Sequence, residues 1–243
     1  MFPKKLKNDS TVEALCEVHF QSDELPEIII GRLSDGEYWR SFSKERLPVA
    51  DIPIQMRKFD KQLEYQPLIE LRDSMGQYRV QIGENVFSYH VVGKYCGGDH
   101  FLRQLALAFE TLFTTLNGIS ISKIMFRYLN ALTTDKHYIL DINSLNLEIS
   151  LAKQALTEPT NLNYLVKNDD SHQTMTRIAS AYFVNGELPE NTSVVVDIDV
   201  STPKNYQATT MEEILGWITK ARQFKNDAFF SLIPTDISEK MVE

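Results

Sequence analysis

The chain has 243 residues, 43% of them hydrophobic, and a formal net charge of -8. This length allows one domain with a sizeable core or two small ones. Affinity for nucleic acid comes largely from Lys and Arg side chains that neutralise phosphates. The acidic net charge therefore argues against nucleic acid as the main partner, although a local basic groove is still compatible with it.

The targeting signals in the sequence predict a cytoplasmic protein. The N-terminal stretch MFPKKLKNDS has lysines but no apolar run after them, so we expect no signal peptide. Every apolar run is far shorter than the roughly 18 residues that span a bilayer. Two cysteines, Cys16 and Cys96, are too few for a disulfide framework or a structural zinc site. We expect a reduced chain with no cofactor and no membrane contact.

The first part of the chain predicts a strand, a helix and a β-meander. TVEALCEVHF (11–20) alternates apolar and polar residues, which is typical of a half-buried strand. SDELPEIIIGRLSDG (22–36) predicts a short helix capped by Ser22 or Asp23. Residues 37–65 are polar and aromatic, and we expect a loop with one extended piece. The short links that follow predict three consecutive strands, at 66–72, 77–83 and 85–93.

The stretch KYCGGDHFLRQLALAF (94–109) predicts the start of a long helix. Apolar residues recur from there at steps of three and four, which indicates an amphipathic helix of about five turns. Asp99 stands at the expected N-cap, where its carboxylate accepts backbone N–H bonds. Gly97 and Gly98 allow the tight turn before it, and Asn117-Gly118 ends the helix.

The second part of the chain predicts more strands and a last helix. ISISKIMFRYLNALTT (119–134) is rich in branched and aromatic residues, so we expect a long strand. Residues 141–155 predict a helix, and 172–184 and 191–200 predict two strands joined by a turn at Asn185-Gly186. A capping box from Thr210 to Glu213 starts the last long helix, and a second box, from Asp236 to Glu239, starts a final turn.

Strands that occur in runs, rather than alternating with helices, favour an α+β fold. We predict a single α+β domain over residues 1–243, with antiparallel sheets in two strand-then-helix blocks. The shared outline of the blocks predicts a structural duplication into halves of about 1–118 and 119–243.

The strongest candidate for a ligand contact is Arg127, inside FRYLNAL. It lies among apolar residues, and an unpaired buried charge is costly, so it must have an anionic partner. That partner is either an internal carboxylate, for which Glu70 is our candidate, or an anionic ligand. Tyr128 and Asn130 complete a polar pocket in either case. The predicted ligand-binding residues are therefore Arg127, Tyr128, Asn130 and Glu70.

The segment around Cys96 allows two further chemical interpretations. Cys96 with His100 could form a reactive thiol at a helix N-terminus, but no distant base and orienting group mark a cysteine hydrolase. The Gly-Gly-Asp that follows could hold a phosphate on its amides, but Asp99 places a negative charge where the anion would bind. We favour a structural turn and helix cap, with no catalytic residue.

Two groups of acidic residues have the spacing of metal ligands. Asp197 and Asp199 share one side of a strand and could hold a divalent cation with a third oxygen ligand. Glu13, Glu17 and His19 share the polar side of the first strand. Solvated strand faces look the same in sequence, so we predict solvent-exposed side chains and no metal site.

Four segments resemble one family. VEALCEVHF (12–20) resembles the opening P-I-V-E-A-V-C-E-I-R-F of a sporadically distributed bacterial family of unknown function. The resemblance continues in VQIGENVFSYH (80–90), in FRYLNAL (126–132) near the family's R-Y-I-N, and in AFFSLIPTDISEKM (228–241). His19 replaces an Arg of the family, and Cys-Gly-Gly-Asp follows Tyr95 where a Trp-containing stretch is expected. The family's patchy distribution is similar to that of phage-defence and toxin–antitoxin genes. The resemblance implies no catalytic residues for this chain.

These observations favour a cytosolic binding or regulatory protein over an enzyme. We expect it to recognise a protein partner, to form a homo-oligomer or to bind a small anionic ligand, in a bacterial defence, stress or toxin–antitoxin setting. The alternative is a hydrolase or nucleotide-processing enzyme with a site near Arg127, Asp197 and Asp199, or at Cys96.

Overall fold

The computed structural model describes residues 7–151, 153–155 and 159–241. Within these ranges the strands and α-helices follow in chain order: β1 (Thr11–Gln21), α1 (Pro26–Ser34), β2 (Ser43–Arg46), α2 (Ile54–Phe59), β3 (Ile69–Arg72), β4 (Tyr78–Ile82), β5 (Val86–Val92), α3 (Gly98–Thr115), β6 (Ser120–Thr133), β7 (Ser150–Leu151), β8 (Gln154–Ala155), β9 (Asn161–Lys167), β10 (Gln173–Ser180), β11 (Thr192–Ser201), α4 (Met211–Leu232) and α5 (Thr235–Met241). Short 3-10 helices lie at Glu37–Trp39, Pro48–Asp51, Ile142–Ser144 and Ala181–Phe183.

Nine of these strands form one large antiparallel sheet, in the order β2-β3-β4-β5-β1-β6-β11-β10-β9. The remaining two, β7 and β8, pair only with each other. The predicted α+β class is therefore confirmed. No helix in the part of the chain that the structure describes is long and apolar enough to cross a membrane.

The chain divides into two compact units. Unit 1 comprises Met1–Glu13, Arg127–Ser201 and Lys220–Glu243, and unit 2 comprises Ala14–Phe126 and Thr202–Thr219. In unit 2 the apolar side of α3 is fully buried, and Phe101 contacts the rings of Tyr89 and Phe126 at centroid distances of 6.5 and 6.0 Å. In unit 1 every second residue of β11, from Val194 to Val200, is completely buried.

The local patterns correctly predicted β1, the meander β3–β5, β6 and α4. The capping box of α4 is also confirmed, since the backbone N–H groups of Thr209 and Thr210 donate to Glu213 Oε2 at 2.9 and 3.1 Å. The extended piece expected within 37–65 is β2. The proposed halves, divided near residue 118, stay a prediction.

Three predicted helix caps are wrong. Helix α1 begins at Pro26, and the Ser22 hydroxyl instead donates to the Asn117 carbonyl at 2.9 Å. Helix α3 begins at Gly98 because Gly97, at a φ of 87°, turns the chain into it, so Asp99 lies inside the first turn. The carbonyl of Pro234 accepts the first N–H bonds of α5, so Asp236 lies inside that helix as well.

The predicted helix over 141–155 is also wrong. Asp141 and Ser144 form a capping box, but it supports only one 3-10 turn. The chain then forms the β7–β8 pair, in which Lys153 has a positive φ of 67°. Residue 152 lies outside the described residues, as does the first part of the N-terminal lysine-rich stretch. The strand predicted over 172–184 ends earlier, at Ser180.

Candidate functional site

Arg127 and Arg177 bind the same carboxylate. The Arg127 guanidinium donates from Nε to Asp197 Oδ1 at 2.8 Å and from Nη2 to Oδ2 at 2.9 Å. Arg177 is the β10 residue directly opposite Asp197, and its Nη1 donates to Oδ2 at 3.0 Å. The partner of Arg127 is thus an internal carboxylate, as one of the two alternatives predicted, but Glu70 as that carboxylate is wrong.

This arginine pair, defined as Arg127 and Arg177, is partly open to solvent. The two side chains are 35% and 41% exposed, whereas that of Asp197 is 9% exposed. The hydrogen bond to Asp197 raises the pKa of Arg127, and the charges of Glu13 and Asp199 add to the effect. Two arginines facing three carboxylates leave no excess positive charge, so the cluster is first of all a set of internal ion pairs.

Glu70 is anchored in unit 2 by its own neighbours. It accepts hydrogen bonds from Arg72 Nε and, at 2.7 Å, from Gln81 Nε2, the residue opposite it on β4. Burial opposes ionisation, but the bonds from Gln81 and Arg72 outweigh it and lower the pKa of Glu70. Its predicted role as a ligand contact stays a prediction.

Tyr128 and Asn130 alternate with Arg127 along β6 and therefore lie on the other side of the sheet. The Tyr128 ring is buried beneath the ammonium of Lys225, 4.2 Å from the ring centroid. Asn130 accepts from Ser10 Oγ at 3.2 Å and donates to the Val196 carbonyl at 3.1 Å. The structure therefore does not bring these two side chains together with Arg127 in one pocket.

The predicted solvated face at Asp197 and Asp199 is wrong. These residues are only 7% and 8% exposed. For Asp197 the physical reason is that the long side chains of the arginine pair, from the flanking strands β6 and β10, extend over it. In the described residues no group of three or more His, Cys, Asp or Glu side chains could hold a metal ion.

The polar side of β1 is half-buried and internally paired. His19 Nε2 lies 3.0 Å from Glu17 Oε1, and its ring stacks on Tyr65 at a centroid distance of 3.9 Å. Glu13 contributes instead to the electrostatic environment of Arg127. The prediction of solvent-exposed side chains is therefore wrong here as well, because all three residues are only partly exposed.

Cys96 lies in a group of tyrosines that the sequence did not reveal. Its thiol is 3.8 Å from the Gly97 carbonyl and hydrogen-bonds with Tyr78. Burial, with a hydrogen bond that the Tyr89 hydroxyl donates to Tyr38, raises the pKa of Tyr89 far above its usual range. The described neighbours of the Cys96 thiol are thus the Gly97 carbonyl and the Tyr78 phenol, and its predicted structural role stays a prediction.

A cleft of about 820 Å³ lies in unit 2 between α1 and α3. Its charged lining residues have mixed signs: Arg32, Asp35, Glu37 and Glu110. None of the predicted ligand-binding residues is part of it. It also contains none of Cys96, Arg127, Asp197 and Asp199, so it adds no support to the alternative of an enzyme site near these residues.

The two edges of the nine-stranded sheet differ sharply. Edge strand β2 has four residues, Ser-Lys-Glu-Arg, all exposed. Edge strand β9 has seven residues, of which Tyr164, Leu165 and Val166 are 39%, 55% and 44% exposed. Charged side chains and short length protect an edge strand from pairing with other chains, whereas a long apolar edge invites it. No strand of the described ranges pairs with the outer side of β9.

The turn that follows β9 is held in place by Asp169. Its Oδ1 accepts from the backbone N–H groups of Ser171 and His172, both at 2.8 Å. Its Oδ2 forms an ion pair with Lys220 at 2.6 Å. Burial opposes ionisation, but these bonds lower the pKa of Asp169. The fixed turn gives β9 a defined position beside β10.

Neither family models nor curated proteins provide a match to this sequence. The resemblance to the sporadic bacterial family therefore stays a prediction from the quoted segments.

Proposed function

We propose that the protein is a non-enzymatic binding protein and that it binds its partner by strand addition at the outer edge of β9. An edge strand presents backbone N–H and C=O groups of alternate residues outward, where a partner's extended segment can pair with them. The observation that carries the proposal is the exposure of Tyr164, Leu165 and Val166 on this edge.

The contrast with β2 supports this choice of edge. Both strands lie at the ends of the same sheet, but only β2 has a sequence that opposes pairing. Just beyond β10, Tyr182 and Phe183 are 84% and 46% exposed. The β10 end lies beside the start of β9, since the Ser180 N–H donates to the Thr160 carbonyl at 2.9 Å. These aromatic residues extend the apolar surface at that end of the edge.

The test is affinity purification from the native host with matched variants. Tyr164→Lys places a charge on the β9 edge, and Met75→Lys places the same charge on a turn where the methionine is 84% exposed. We expect a partner that is retained by the wild type and by Met75→Lys but lost with Tyr164→Lys. A partner that is retained equally by both variants contradicts strand addition at β9.

A second candidate function, the binding of a small anion, is favoured by the partial exposure of the arginine pair. Guanidinium N–H groups that do not reach Asp197 are suited to a carboxylate or a phosphate. A calorimetric titration with inorganic phosphate should show binding to the wild type, and Arg177→Gln should abolish that binding. The absence of heat in the wild type contradicts this candidate.

The hydrolase alternative near Arg127, Asp197 and Asp199 gains no further support, because both Asp197 oxygens accept hydrogen bonds from arginines.

The proposed duplication is supported by the strand order. In the sheet β1 lies next to β5, and then come β4 and β3; β6 lies next to β11, and then come β10 and β9. Each block also ends in a long helix, α3 or α4. A defence or toxin–antitoxin setting belongs to the same proposal and is supported only by the resemblance described above.

A further inference from the structure

We infer that the segment added at the β9 edge is β9 of a second copy of this chain, antiparallel to the first about a two-fold axis at Tyr164. This inference rests on the proposed function, because it names the partner of the same edge. Two-fold pairing requires that the edge be compatible with itself. The sequence NLNYLVK of β9 gives apolar pairs on one side of the strand and no pair of like charges on the other.

The side of β9 that faces the core is apolar throughout. Leu162, Tyr164 and Val166 lie opposite Ile178, Thr176 and Thr174 of β10, which are all buried. With Tyr164 on the axis, Leu162 of each copy lies opposite Val166 of the other, and Tyr164 lies opposite its counterpart. Apolar and aromatic residues directly opposite one another stabilise antiparallel strands, so the core side continues across the new pair.

The other side of β9 brings no like charges together. Lys167 is the one charged residue of the strand at neutral pH, and the Tyr164 axis places it opposite Asn161 of the second copy. Asn163 lies opposite Leu165. Like charges directly opposite each other destabilise strand pairs, and this register avoids them. It also pairs all seven residues, whereas an axis one residue away in either direction leaves two of them without a counterpart.

The size of the interface predicts a reversible dimer. Seven residues from each copy form a contact at the small end of the range for specific complexes, which implies a dissociation constant on the order of micromolar. Such an edge is occupied at high concentration and opens on dilution. The self-pairing would then protect the apolar edge from less specific association.

The experiment uses two opposite charges at the axis. Tyr164→Lys and Tyr164→Asp each place like charges opposite one another in a homodimer, whereas their mixture pairs a lysine with an aspartate. Light scattering or sedimentation should be measured over about 1 to 300 µM, which brackets the affinity expected for a small interface. We expect the wild type to change from monomer to dimer, and each variant alone to bind itself at least about tenfold more weakly. The equimolar mixture should recover the dimer.

Met75→Lys is the matched control and should dimerise like the wild type. Circular dichroism and thermal melting should be the same for all variants, which excludes misfolding as the cause. Tyr164→Cys provides a second measurement, since cysteines opposite each other at the axis are close enough for a disulfide. A disulfide-linked dimer at low micromolar protein supports the register, whereas Met75→Cys should not form one.

The outcomes separate this inference from the proposed function. A wild type that stays monomeric throughout, or a mixture that stays as weak as its components, overturns self-pairing. If a different protein is then captured in a manner that Tyr164→Lys abolishes, strand addition at β9 holds with another partner. If no retained protein depends on β9 and the wild type is monomeric, both proposals fail.

Discussion

Replacement of Asp197 by Asn tests whether the arginine pair depends on its shared carboxylate. The side chain keeps its size but loses its charge, and one of its two oxygens becomes an amide that cannot accept. Two guanidinium groups that now converge on that carboxylate would face a neutral group. We expect a loss of stability with the fold retained.

The size of the loss follows from three hydrogen bonds and the exposure of their donors. Breaking a fully buried ion pair by removing one partner costs about 3–5 kcal/mol. Asp197 is 9% exposed, but Arg127 and Arg177 are 35% and 41% exposed, so solvent can hydrate the arginines once the carboxylate is lost. We therefore expect a decrease of about 2–3 kcal/mol in the free energy of unfolding.

Urea denaturation at neutral pH measures this change directly. Asp170→Asn is the matched control, because the Asp170 side chain is fully exposed beside Lys167, and it should change stability by less than about 0.5 kcal/mol. Asp197→Asn within about 1 kcal/mol of the wild type would refute the reasoning, because each charge-assisted bond alone is worth about that much or more.

Further substitutions test other parts of the structure. Desolvation lowers the pKa of Lys225 to about 8, below the roughly 10.4 of an unfolded lysine, so the unfolded state binds more protons between these values. The free energy of unfolding should rise with pH across that window by up to about 3 kcal/mol. Denaturation curves of Lys225→Met should lack this rise. An equal rise in both proteins contradicts the lowered pKa of Lys225. Gly118→Ala should lower the free energy of unfolding by about 1 kcal/mol or more in the same denaturation assay. The reason is that Gly118 has a φ of 61° and that a Cβ there would overlap Asp23 Oδ2. An unchanged denaturation midpoint contradicts this. Trp39→Phe should lower the melting temperature, because the buried Leu33 carbonyl loses a 2.6 Å bond from the indole N–H; an unchanged melting temperature contradicts it.

The elements that the sequence predicted are those whose pattern is complete within one segment. The alternation of residues 11–20, the short links of the meander and the spacing of apolar residues in α3 each require only local information. Helix caps were less predictable, because a glycine at positive φ, such as Gly97, can begin a helix before the first capping side chain. The capping box at Asp141 shows the same limit, since a good start does not continue a helix when the following residues do not support it.

The charged cluster around Asp197 could be predicted only with knowledge of the strand order, which the sequence does not contain. Arg127 was expected to have an internal anionic partner because an unpaired buried charge is costly. The identity of that partner depends on β11 lying beside β6 and on the register that places Arg177 opposite Asp197. The same arrangement buries Asp197, which its alternating segment alone did not indicate.

Strand β9 was missed because its sequence lacks a clear alternation. In NLNYLVK three apolar residues, Tyr164, Leu165 and Val166, follow one another. An apolar run without alternation predicts a buried strand or no strand. In the structure it is neither, and the exposed Tyr164, Leu165 and Val166 on an edge are the feature that points to association.

The most direct test of a binding edge at β9 is hydrogen–deuterium exchange of its backbone amides. Exchange should be compared between dilute and concentrated protein, on both sides of the micromolar range expected for a small interface. We predict that amides in Asn161–Lys167 gain protection at high concentration while those of β2, at the other edge, do not change. Equal exchange of β9 at both concentrations would contradict self-pairing, and slow exchange of all its amides in dilute protein would show that the edge is already covered within one chain.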